Sequence, residues 1–73
     1  MTNYIIDNVY KTAGKDLTDR LLAIFQDKQQ VVDWFYQPIK VLDDSKPSDL
    51  CGTKKQYILE QVISELESGT LML

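Results

Sequence analysis

The stretch TKKQYILEQVISELESG, residues 53–69, carries the clearest structural signal in the chain. Ile58, Leu59, Val62, Ile63 and Leu66 follow one another at steps of one, three, one and three residues. At about 3.6 residues per turn, that spacing gathers them on one face of a helix. Thr53 is the expected N-cap and Gly69 the expected residue just past the C-terminus, which predicts a helix over Lys54–Ser68. A helix with one apolar face must bury it against other elements, so the stretch points to a core built by helices.

Working toward the N-terminus, Pro47 suits the first turn of a short helix, because its missing N–H has no partner there in any case. Leu50 and Cys51 then face the core, and Gly52 breaks the helix. Residues 39–46 read as a connection, with Leu42 as an inward anchor and Asp43, Asp44 and Ser45 supplying turn chemistry. Before it lies QQVVDWFYQP, residues 29–38, where Val31, Val32, Trp34 and Phe35 predict a helix buried over most of its surface. Asp27 is its expected cap and Pro38 its stop. Leu17, Leu21, Leu22, Ile24 and Phe25 form the apolar stripe of a further helix, capped by Asp16. The first segment, Asn3–Ala13, has helical spacing with Asn3 as cap and Gly14 as stop, although its β-branched and aromatic residues also favour a strand. The expected fold is all-α: a compact single domain, residues 1–73, of four to five short helices. Its predicted core is Leu22, Ile24, Phe25, Trp34, Phe35, Leu42, Leu50, Ile58, Leu59, Val62, Ile63 and Leu66.

Composition narrows the functional classes. The chain has 73 residues, 44% of them hydrophobic, and a formal charge of −3. That length suits one domain, and the apolar share argues against intrinsic disorder. Its isoelectric point is near 4.6, and Arg20 is the only arginine; a nucleic-acid binder needs a basic patch to displace counterions from phosphate. Histidine is absent, which removes the commonest general base and metal ligand, and leaves Cys51 without a partner to activate it as a nucleophile. The single cysteine rules out an internal disulfide and fits a reducing, cytoplasmic setting. No apolar run is long enough to cross a bilayer. Neither a metal site nor a cofactor is expected, and the mixed charges around Asp43, Asp44 and Asp49 lack the spacing of a calcium loop. The composition points to a non-enzymatic binding module.

The order of several of these elements resembles the Xre/MbcA/ParS-type antitoxin toxin-binding domain. The residues that carry the likeness are Leu22-Ala23-Ile24-Phe25 at a helix end, Asp33-Trp34-Phe35 on the next helix, Pro38, and the anchor Leu42. Pro47-Ser48-Asp49-Leu50, the cap Thr53, and Val62 to Gly69 on the long last helix complete it. The likeness spans residues 20–69. Two departures fall in one loop: Ile39 stands where the family often has asparagine, and Asp43-Asp44 where it often has a pair of glycines. A less tightly turned loop is expected from them.

The resemblance implies a bacterial type II antitoxin role, in which such a domain blocks a RES-domain toxin that consumes NAD. Family members commonly carry an Xre-like helix-turn-helix ahead of this domain and can self-associate. The segment before residue 20 has neither the length nor the basic residues for such a unit, so the reading is of the toxin-binding part alone. It leaves open a free-standing antitoxin, an excised domain, and a stand-alone relative with another partner. The partner-binding candidates are Glu65, Glu67, Gly69, Thr70, Leu71, Met72 and Leu73. Both glutamates oppose the dipole of the last helix, as Lys54 and Lys55 do at its start, and an acidic end suits a basic partner surface. The apolar tail, residues 70–73, would insert into a partner's groove, as the resemblance allows. The competing reading is a self-associating helical module or a small phage-type adaptor for a different host protein.

Overall fold

In the computed structural model, which describes residues 4–69, five α-helices surround one apolar interior. They are α1 (Ile6–Ala13), α2 (Lys15–Phe25), α3 (Lys28–Phe35), α4 (Pro47–Leu50) and α5 (Gln56–Ser68), with a single 3-10 turn at Lys40–Leu42. The all-α expectation holds, and the first segment is helical. Its helix starts at Ile6, where the Ile5 N–H donates to Asn8 Oδ1 at 2.9 Å. The expected cap Asn3 lies outside the described residues.

Gly14 joins α1 to α2 with no linker. Its φ of 89° is a conformation that L side chains resist, and it lets one residue close α1 and open α2. The Gly14 N–H donates to the Tyr10 carbonyl at 3.0 Å, and the Thr18 hydroxyl donates to the Gly14 carbonyl at 2.7 Å. Asp16 therefore lies inside the first turn of α2 and does not cap it, which corrects the sequence reading. Asp27 does cap α3, accepting from the N–H groups of Gln29 and Gln30.

α3 packs against α1, α2 and α4, while α5 closes the other side against α2, α4 and the 3-10 turn. Val31, Val32, Trp34 and Phe35 of α3 are all buried, and Phe35 fully so. They meet Val9 of α1, Leu17 and Leu21 of α2, and Leu59, Val62, Ile63 and Leu66 of α5 in one cluster. Leu42 and Leu50 complete it, each inward as expected. Leu22, Ile24, Phe25 and Ile58 are only half-buried at its margin, so the expected core is corrected there: α2 turns Leu17, Thr18 and Leu21 inward in their place. Cys51 is likewise half-buried.

The start of α5 also differs from expectation. The Thr53 hydroxyl donates to the Leu50 carbonyl at 2.7 Å and accepts from the Lys55 N–H at 3.1 Å. These bonds build a local turn instead of a cap, so α5 begins at Gln56. Lys54 and Lys55 therefore stand before the helix and not in its first turn.

The loop between α3 and α4 is tight. The Ile39 N–H donates to the Ser45 carbonyl at 3.1 Å, and the Asp44 N–H returns to the Ile39 carbonyl at 3.1 Å. Asp43 and Asp44 sit at φ of 59° and 61°, the left-handed region. Asp tolerates that region better than most residues. The expected looser turn is thus corrected: two aspartates adopt the conformation for which glycine is normally used.

Phe35→Ala is expected to destabilise the domain by about 3–5 kcal/mol, measured as a shift in the urea midpoint. Replacing Asp43 and Asp44 together by alanine is expected to cost roughly 1 kcal/mol per residue, since alanine has no short polar side chain to satisfy the left-handed backbone. A Gly-Gly replacement in the same assay should be close to neutral.

Candidate functional site

The C-terminal half of α5 has two differently built flanks. On the side facing α2, Arg20 reaches across. Its Nε donates to Glu67 Oε2 at 3.0 Å, and its Nη2 donates to Glu67 Oε1 at 2.7 Å and to Ser64 Oγ at 2.9 Å. This planar, two-pronged pairing is the geometry that arginine makes with a carboxylate. The Arg20 guanidinium holds the Glu67 carboxyl below the usual glutamate range, against a smaller upward push from burial. Glu67, a partner-binding candidate, is therefore committed within the chain, and its charge at the end of α5 is offset by Arg20 instead of standing exposed to a basic partner.

The other flank is apolar. Val62 and Leu66 of α5 form one wall of a groove whose other walls are Phe25 and Trp34, with Ile39 and Val41 from the connection. The Phe25 and Trp34 rings meet at a centroid distance of 5.8 Å and an angle of 45°. The groove has a volume of about 460 Å³. Val41 stands at its edge, 51% exposed, and the remaining lining residues are Pro38 and the polar Gln30, Asp33, Gln37 and Lys40, all exposed.

Gly69 ends α5 at φ 77°, ψ 8°, its N–H donating to the Leu66 carbonyl at 3.2 Å. That left-handed residue turns the chain off the helix axis, as expected of a C′ glycine. Glu65 is half-buried one turn before it. The fold thus brings Glu65, Glu67 and Gly69 to one helix end. Thr70, Leu71, Met72 and Leu73 lie outside the described residues.

Sequence reasoning missed the Arg20–Glu67 pair and the groove. The groove had one legible sign, the apolar Ile39 and Val41 on either side of Lys40 in a segment otherwise read as turn. The pair had none beyond the solitary arginine.

Elsewhere, Asp19 accepts from Tyr10 Oη at 2.8 Å and from Lys15 Nζ at 2.7 Å, tying α1 to α2. Those two hydrogen bonds, Lys15 first, hold the Asp19 carboxyl below its ordinary range. Burial, reinforced by the charge of Glu60, pushes the Cys51 thiol up to about 11, so it stays protonated at neutral pH and is a poor nucleophile. Among the described residues, no group of three or more His, Cys, Asp or Glu side chains gathers to hold a metal ion, and no helix is long and apolar enough to cross a membrane. No family model, curated protein or solved structure matches this chain.

Because the folded-state pKa of Glu67 is depressed, the pair's contribution to stability is complete above the ordinary glutamate range and is lost as the pH falls through the lowered value. Wild-type protein should lose more stability than Glu67→Gln between about pH 6 and pH 3, followed by urea midpoints across that range. Asp19 keeps its own acid dependence in both proteins, so the difference between them isolates the Arg20–Glu67 pair.

Proposed function

We propose that the chain is a non-catalytic protein-binding domain of the antitoxin type, which neutralises a RES-type, NAD-consuming toxin by steric occlusion. In this reading the end of α5 and residues 70–73 cover the entrance to the toxin's active site and keep NAD out. Affinity comes from buried apolar anchors such as Leu71 and Leu73, and charge placement acts mainly on the rate of encounter.

The observation that carries the reading is the loop between α3 and α4. The chain departs most from the family pattern there, with Asp43-Asp44 in place of a glycine pair, and both aspartates hold the positive φ that glycine is used for. Further support comes from several of the other pattern residues. Trp34, Phe35, Leu42, Pro47, Leu50, Val62 and Leu66 are all buried, and Gly69 is left-handed at the helix end. The pattern residues thus serve as a framework that positions the end of α5. A blocking domain needs shape and apolar anchors, and no titrating group has to be poised for proton transfer.

The test is a pull-down from the source cell to capture the RES-domain protein, then NAD consumption by that protein with increasing amounts of this chain. The expected result is loss of NAD consumption near stoichiometric ratios. A chain lacking residues 70–73 should need about tenfold more, the equivalent of about 1.4 kcal/mol of lost binding. Unaltered NAD consumption at saturating chain would overturn the reading, and a stable homo-oligomer that binds no toxin would favour self-association.

A further inference from the structure

We propose that the cleft between α1 and the start of α4 is a binding site for a nucleoside monophosphate, which seats its base on Tyr4 and its phosphate between Lys11 and Lys46. The cleft has a volume of about 540 Å³, within the range of small-ligand sites. None of its lining residues belongs to α5, so the site is separate from the surface that the proposed function uses.

An aromatic platform is the first ground. The Tyr4 and Tyr36 rings are stacked, with centroids 3.8 Å apart and planes 9° from parallel. Tyr36 is in turn held by the buried Phe35, whose ring meets it edge-on at 5.0 Å and 89°. Tyr36 covers one face of Tyr4, yet Tyr4 stays 46% exposed. The fold thus holds a flat ring at the edge of the cleft with its outer face open. Such a face stacks a planar base in water.

The second ground is a surplus of hydrogen-bond donors. Lys11, in the last turn of α1, and Lys46, just before α4, line the same cleft from different elements. Among the described residues the ion pairs are Lys15–Asp19 and Arg20–Glu67, so neither of these lysines has an acidic partner there. Asn8 accepts from the Ile5 N–H through Oδ1, which leaves its amide hydrogens for the cleft. Ser48 contributes a hydroxyl, and a single carboxylate, Asp49, stands against these donors. Two ammonium groups lining one space repel each other, and an anion between them replaces repulsion with attraction. A phosphate monoester supplies that charge, with several acceptor oxygens for the ammonium, amide and hydroxyl groups.

The combination selects the ligand class. Inorganic phosphate leaves the tyrosine face unused, and an uncharged nucleoside leaves the lysines without a counter-charge. A mononucleotide meets both, and its ribose hydroxyls can donate to Asp49. A polynucleotide is disfavoured by the chain's net charge of −3, which repels a phosphate backbone extending past the two lysines.

The test is a titration of the full chain with adenosine 5′-monophosphate at low salt, followed through the nuclear magnetic resonance signals of the Tyr4 and Tyr36 rings. Adenosine and inorganic phosphate serve as separate probes. The nucleotide should shift both rings and saturate, with each separate probe at least about tenfold weaker. Replacing Lys11 and Lys46 together by glutamine should weaken nucleotide binding about tenfold and leave adenosine unchanged. Tyr4→Ala should weaken the nucleotide by about the same factor and leave phosphate unchanged. All three side chains are exposed, so the fold tolerates these changes. No saturation by about 10 mM nucleotide, or undiminished binding by the double lysine variant, would overturn the proposal. So would phosphate that binds as tightly as the nucleotide and is indifferent to Tyr4→Ala, which would mean an adventitious ion only.

Discussion

The fold rests on the burial of α3 from several sides at once. None of the helices is long enough to be stable in water on its own, because nucleation costs more than a few turns return. Each must be held by its neighbours. α3 has only eight residues, yet it buries Val31, Val32, Trp34 and Phe35, and it touches α1, α2 and α4 together. At roughly 1.5–3 kcal/mol per buried large apolar side chain, these four supply much of the driving force available to so small a domain. Asp27 adds a defined start by satisfying two N–H groups at the helix end.

What could be read from the sequence follows from which interactions are local. The α5 face was legible because periodicity alone determines it, and all five of its residues pack in or against the core. Asp27 and Pro47 were legible for a similar reason, since each stands at the start of the helix it helps to begin. The failures at Asp16 and Thr53 came from competition among equally local options. A Thr that can bond to a carbonyl three residues back has two uses, and here the turn at Leu50–Lys55 took it. At α2, Gly14 had already taken the capping position.

Other features depend on distances along the chain that no pattern encodes. Arg20 and Glu67 are 47 residues apart, and only the packing of α2 on α5 makes them neighbours. The half-burial of Leu22, Ile24, Phe25 and Ile58 has the same origin. Spacing shows that a helix has an apolar stripe, but the stripe's inner and outer edges depend on how many neighbours cover it. On α2 the cover falls on Leu17, Thr18 and Leu21, and Phe25 is left at the rim. The groove is a product of that incomplete cover, made by residues from α2, α3, α5 and the connection together.

These two long-range features divide the end of α5 between them. A carboxylate in the last turn of a helix is unfavourable because the carbonyl ends already carry partial negative charge. Arg20 removes much of that penalty for Glu67 and holds one flank of the helix against α2. The cationic fork also occupies the polar surface on that side, so an apolar segment gains nothing by lying there. Across the helix, Val62 and Leu66 face a cleft whose rim includes a half-exposed valine. The ion pair therefore gives the end of α5 a direction, with a closed polar flank and an open apolar one. Whatever binds at this end of the molecule meets that asymmetry first.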